Sequence, residues 1–228
     1  GPYRSVVSFL PRDKVRHYLA ECLVAAVSVA AEGGKDDEIA RRLLEHSEQR
    51  FRLSYLLGTL SSGIDEEEDE TAEEDKEEDK TETPEVDSEE RQKLETRLRS
   101  YLDRVKLIAD SMRKELSGSL SLEVKTLSPA DKDAFLELLE DSLLENAEAQ
   151  SLIDDIEEAI ETRFQLLENG KLESDRSGWP TRWQFESDDR SLFIKTINRF
   201  SSNYAKNFGR LLTPLVQGLR VAGPFHPV

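Results

Sequence analysis

Residues 87–118 read DSEERQKLETRLRSYLDRVKLIADSMRKELSG, and the spacing of their apolar side chains decides the fold class. Leu94, Leu98, Tyr101, Val105, Ile108, Met112 and Leu116 follow one another at intervals of four, three, four, three, four and four. An α-helix turns once in about 3.6 residues, so these intervals place all seven on one stripe, as in a helix packed lengthwise on another helix or in a coiled coil. Asp87 and Glu90 at the start have the spacing of a capping box, and Gly118 supplies the stop.

Working outward from this helix, the chain changes character abruptly on its N-terminal side. Seventeen Asp or Glu against two Lys fall between Asp65 and Glu90, which accounts for all but two of the net −17 charges. A like-charged stretch with almost no apolar surface cannot offset the entropy lost on ordering, so residues 65–86 are expected to be a disordered acidic linker. The rest of the chain is then close to neutral, and no concentrated basic face stands out for nucleic-acid phosphates.

Before the tract, YRSVVSFL at residues 3–10 is rich in β-branched and aromatic residues and stops at Pro11, which predicts a short strand. Pro11, Asp13 and the pair Gly33-Gly34 bracket a helix over 11–31 whose apolar surface includes Val15, Leu19, Cys22, Leu23, Ala26 and Val27. A second helix is predicted over 37–60, ended by Ser61-Ser62-Gly63.

Beyond Gly118, Leu127-Ser128-Pro129 opens a helix carrying Phe135, Leu139 and Leu143, and Asn146 caps the next. That helix carries Ile153, Ile156, Ile160, Phe164 and Leu167 up to Asn169-Gly170, and the pair is expected to form a helical hairpin. Residues 171–186 read as a loop, with a restart at Ser187 and Asp188. An aromatic helix through Phe193, Ile197, Phe200, Tyr204 and Phe208 follows, and a strand over 219–225 ends the chain.

The expected class is therefore mainly α, a multi-helix bundle with long antiparallel helices. A short two-stranded β pairing of the termini is expected to join residues 1–64 and 87–228 in one domain. The pairing follows from length, since each terminal strand is too short to be stable alone.

No complete catalytic pattern emerges. Gly170-Lys171 is followed by Leu172 and lacks the earlier glycine of a phosphate-binding loop, and Gly33-Gly34-Lys35 fails in the same way. His17, His46 and His226 have no metal-ligand spacing, so neither a metal nor a cofactor is expected. Cys22, the lone cysteine, lies among apolar helix residues where an inert thiol is expected, and no disulfide can form within the chain. The carboxylates Asp154, Asp155, Glu157 and Glu158 read as the polar face of a helix. Residues 19–31 are too short for a membrane span, and no secretory signal is apparent, so a cytoplasmic protein is expected.

Candidate contact residues cluster in GWPTRW, residues 178–183. Trp179, Arg182 and Trp183 have the composition of a binding hot spot, although indoles in a loop can equally pack back onto the core.

Two terminal stretches resemble a known group. GPYRSVVSFLP at residues 1–11 resembles a strand following the P-loop region of large bacterial GTPase-like or ATPase-like proteins, and SSNYAKNFGRLLTPLVQGLRVAGP at 201–224 resembles the lead-in to their next strand. The resemblance implies that everything between is a helical insertion, with the phosphate- and metal-binding motifs outside it. The expected function is a non-enzymatic interaction or regulatory module, with a protein partner or the remainder of its parent as ligand. Two alternatives stay open: an acidic adaptor for a basic partner, and an all-helical hydrolase with carboxylates gathered by the fold around a metal.

Overall fold

A computed structural model of the chain describes residues 1–46, 51–60, 88–117, 128–200 and 209–224. The acidic tract at 65–86, the stops at 61–63 and Gly118, and Asp87, Tyr204, Phe208, Phe225 and His226 lie outside them, as does the side chain of Leu116.

Seven helices and four strands are described. Strand β1 (Tyr3–Phe9) leads through Pro11 into α1 (Arg12–Ala31), with Asp13 in its first turn. Gly33, at φ 74°, ends α1 in the left-handed conformation that glycine adopts without strain, and its amide and that of Gly34 close on Ala30 and Val29 carbonyls. The helix expected over 37–60 is instead two: α2 (Asp36–Leu44) and the single turn α3 (Ser54–Leu57), with a bridge between Glu45 and Arg52. The break allows Leu43 and Leu44 to be buried together with Phe51, Leu53, Leu56 and Leu57, which one straight helix would spread around its circumference.

Helix α4 (Ser88–Ser117) is the expected long helix. Leu94, Leu98, Tyr101, Val105, Ile108 and Met112 are buried, and so are Leu102 and Ala109, so the stripe is wider than a coiled-coil seam. The extra width serves several neighbours, since α4 packs against α1, α2 and the two helices that follow it. Helix α5 (Pro129–Leu143) starts on Ser128, whose Oγ accepts from the Asp131 amide. Helix α6 (Ala147–Arg163) starts on Asn146, whose Oδ1 accepts from the Ala149 amide at 3.0 Å. Each packs on α1 and α4, which places α1 at the centre of the helical layer. A 3-10 turn, Phe164–Leu166, follows α6.

Residues 171–186 are not a loop. They form a hairpin of β2 (Lys171–Ser174) and β3 (Pro180–Ser187), so the sheet has four antiparallel strands in the order β2-β3-β1-β4 and not two. Trp183 and Phe185 point inward while Arg182 and Glu186 point out, a period of two that the consecutive buried pair Trp179-Pro180 interrupts at the strand's start. Helix α7 (Arg190–Ile197) is capped by Asp189, whose Oδ1 accepts from the Ser191 and Leu192 amides. A 3-10 turn, Asn198–Phe200, continues it.

Strand β4 (Val216–Ala222) begins three residues before the expected 219–225 and pairs with β1 in the expected antiparallel sense, with Arg4 opposite Ala222 and Val7 opposite Leu219. One sheet face carries Val7, Phe9 and Trp183 into the core, and the other shows Arg4, Arg182 and Glu186 to solvent, the usual division in an antiparallel sheet covered on one side. A single hydrophobic cluster runs from Val7 and Phe9 through the helices to Leu215, drawing on both sides of the acidic tract. No described helix is long and apolar enough to cross a membrane.

Candidate functional site

The tryptophan segment is built into the core. Trp179 and Trp183 are fully buried; the Trp179 indole donates to the Leu10 carbonyl at 2.9 Å and that of Trp183 to the Asn169 carbonyl at 2.7 Å. Phe164 meets Trp179 edge-on, and Phe185 stacks on Trp183. Arg182 is separated from both indoles, on the solvent face of β3 opposite Ser8 and Glu173. Of the three candidates it is the one a partner can reach.

A site that no motif announces gathers at the first turn of α4. Each oxygen of the Glu90 carboxylate is held by a different arginine: Oε1 accepts from Arg163 Nη1 and Nη2 at 3.1 Å, and Oε2 from Arg210 Nε at 2.8 Å and Nη2 at 2.5 Å. Arg163 also donates to the Gly209 carbonyl, while its Nε is buried with no partner among the described residues. Gly209, at φ 97°, lets the chain pass close to Leu94, whose side chain a Cβ would strike, and its amide and that of Leu211 both donate to the Tyr55 carbonyl. The node therefore ties α3, α4, the end of α6 and the segment leading to β4 together.

Its charges do not balance. Burial lowers the Arg163 guanidinium below the ordinary arginine value; the Glu90 carboxylate opposes this, and Arg210 and Arg97 reinforce it. Burial likewise lowers Arg199, with Glu168 opposing and with Arg210 and Arg163 adding repulsion. Arg97 and Arg210 thus act on Arg163, and Arg210 and Arg163 on Arg199, while the Glu90 carboxylate holds Arg163 and Arg210. The capping box expected of Glu90 has its other member, Asp87, outside the described residues.

A second node joins α1 to α6. Glu157 is buried and accepts from Arg12 Nε at 2.6 Å and Arg16 Nη1 at 3.4 Å, and Arg16 also donates to Asp154 at 2.6 Å. The hydrogen bond and charge of Glu157 raise Arg12, and the hydrogen bond that Arg16 donates to Asp154 raises Arg16. Asp155 is bonded to Arg104 of α4. Asp154, Asp155 and Glu158 are exposed, as expected of a polar helix face, although the first two also pair with arginines of other helices; Glu157 departs from that expectation by being buried.

His17 and His46, far apart in sequence, both turn Nε2 to Glu21, at 3.5 and 2.8 Å. Among the described residues, no group of three His, Cys, Asp or Glu side chains could hold a metal ion. Cys22 faces the core, where burial pushes its thiol up to about 12. A cleft of about 460 Å³ opens between α2, residues 59–60 and α4, with Leu44, Leu60 and Leu98 on its floor and Lys35, Glu38 and Arg41 among its polar lining.

The residues that converge here belong to a mainly helical protein with a small antiparallel sheet, held by two arginine–carboxylate nodes. Comparison with family models, with curated proteins and with solved structures gives no match.

Proposed function

We propose that the chain is a non-enzymatic helical interaction module, an insertion in a larger bacterial nucleotide-dependent protein, which docks a protein partner or the remainder of its own parent in the cytoplasm. The observation that carries this reading is the pairing of the first strand with the last: Arg4 lies opposite Ala222, and a Cβ on Gly223 would meet the Tyr3 backbone at 3.3 Å. An insert must leave and rejoin its host nearby, and a body hung on two adjacent strands can pass a nucleotide-dependent shift between host and partner. The wide buried face of α4 supports the same reading, since it commits the longest helix to making the body rigid.

Two measurements test the proposal. Calorimetry of the isolated chain with ATP and GTP plus magnesium is expected to show no binding at micromolar nucleotide, and turnover abolished by one point substitution would reject the non-enzymatic reading. In the full reading frame, a phosphate-binding loop upstream and an acidic metal-binding strand downstream are expected. Replacing residues 3–222 there by a short Gly/Ser loop should preserve basal nucleotide turnover and remove its response to the partner. A frame with no such flanking motifs would reject the insertion.

A further inference from the structure

The four-stranded order leaves one side of β4 without a neighbour among the described residues. Natural sheets blunt such edges, because a row of unpaired amides and carbonyls is a template for another strand. The opposite edge is blunted: β2 has four residues, begins at Lys171 and is bulged between Glu173 and Ser174. On β4 the irregularity comes early, where Ser8 faces Gly218 and Phe9 faces Val216, leaving Gln217 over. From Gly218 to Ala222 the strand is regular.

The register fixes which way its side chains point. Leu219 lies opposite Val7 and Val221 opposite Ser5, so both are on the core side of the sheet, beside two residues that are almost wholly buried. Yet Leu219 is 44% and Val221 39% exposed. Helix α7 packs on β1 and β3, and among the described residues no helix packs comparably on β4. Apolar side chains left open on the inner face beside an unpaired main-chain edge have one kind of complement, an added strand whose backbone pairs with β4 and whose own inward side chains close over both.

We propose that β4 is a docking edge that takes, as a fifth strand, an extended segment with the pattern apolar–acidic–apolar. The apolar residues cover Leu219 and Val221. The acidic residue between them lies on the outer face, opposite Arg220, which is exposed and has no ion pair among the described residues, whereas Arg4 on the same face is bonded to Glu186.

The same charge argues against a second copy of the chain as the occupant. Of the antiparallel self-pairings that keep the inner faces together, the one that sets Leu219 against Val221 of the second copy also sets Arg220 against its own equivalent. Shifting by one pair either way leaves an apolar residue opposite Gln217 or Gly223. The proposal rests on the interaction-module reading for the source of the segment, and on the geometry of β4 alone for its chemistry.

The test is an NMR titration of the labelled full chain with two synthetic nonapeptides, Lys-Thr-Thr-Val-Glu-Val-Thr-Thr-Lys and the same peptide with Lys in place of Glu. The chain carries a net charge of −17, so nonspecific attraction favours the second peptide. The expected result is the opposite: slowed amide exchange at residues 218–222 with the first peptide, and binding of the second roughly tenfold weaker. Arg220→Glu should invert that order, and its exposed position keeps the fold intact. No slowing of β4 exchange at millimolar peptide, or equal response to both peptides, overturns the proposal. Protection of β4 that rises with protein concentration without peptide, with a dimer in sedimentation, assigns the edge to a second copy and also overturns it. Each outcome concerns the edge alone, whereas loss of the partner response in the full reading frame tests the module.

Discussion

Glu90 and Glu157 each accept from two arginines, but their removal should have different consequences. Arg12 and Arg16 are 46% and 37% exposed, so Glu157→Ala leaves them free to turn into water, and the loss should be about 1–2 kcal/mol. Arg163 and Arg210 are only 13% and 24% exposed, and Arg163 is already depressed by burial, so Glu90→Ala leaves repelling guanidiniums that cannot rehydrate in place. A loss of about 2–4 kcal/mol is expected there. Urea unfolding of the two variants beside the parent chain gives the comparison, and equal losses would show that the Glu90 node is no more buried in effect than the other. Cys22 provides a pH test. Its thiol is raised in the folded state from an ordinary 9.0 to about 12, so the folded chain holds the proton longer than the unfolded chain. The associated stability is complete below pH 9 and is lost as pH rises toward about 12, and Cys22→Ala should flatten that alkaline slope in urea titrations between those values. The inert thiol was legible in the sequence from its apolar neighbours. The Glu90 node was not, because Arg97, Arg163, Arg199 and Arg210 come from separate parts of the chain and only tertiary packing brings them together.

Among the elements, helices were more legible than strands for a physical reason. A helix of 30 residues such as α4 repeats its apolar period several times, and Ser128, Pro129 and Asn146 mark helix starts through local hydrogen bonds that need no distant partner. The β2–β3 hairpin has only four and eight residues, and Gly178 and Pro180 resemble loop punctuation. Its turn is nonetheless specific: Asp175 Oδ1 accepts from the Ser177 hydroxyl at 2.6 Å and from the Ser177 and Trp179 amides at 2.8 and 3.1 Å. The Ser177 hydroxyl is the main cause that holds the Asp175 carboxyl below its ordinary 3.8, with the two amides adding to it, so the turn's contribution is present above that pH and is lost as pH falls through the lowered value. Asp175→Ala should therefore speed exchange of the Trp179 amide at neutral pH while leaving the helices protected, and unchanged exchange would show that the turn is held by β3 alone. For α4, changing Leu98 and Val105 together to Asp puts two charges into a buried stripe. The combined cost should exceed about 5 kcal/mol, comparable with the stability of a whole domain, and far-UV circular dichroism should find no cooperative unfolding. A folded double variant would mean that the stripe is a contact surface.

At the scale of the whole molecule, one core spans both sides of the acidic tract, and β1 sits between β3 and β4 so that the first and last strands share a sheet. The sequence made this pairing legible because YRSVVSFL and LRVAGPF are each too short to stand alone, but it offered nothing about β3, whose pairing with β1 depends on Trp183 and Phe185 being covered by Phe200 and Phe193. The β1–β4 pair is also the foundation of the functional proposal, since a module that docks and transmits from a host must be anchored at one place. Its most direct test is disulfide trapping of Arg4→Cys with Ala222→Cys in a Cys22→Ser background, with Arg4→Cys and Leu219→Cys as the out-of-register control. Non-reducing mass analysis after mild oxidation should find the first pair cross-linked nearly to completion in the native chain, uncross-linked when oxidised in denaturant, and the control pair free. Native cross-linking of the control, or none in the Arg4–Ala222 pair, would contradict the account.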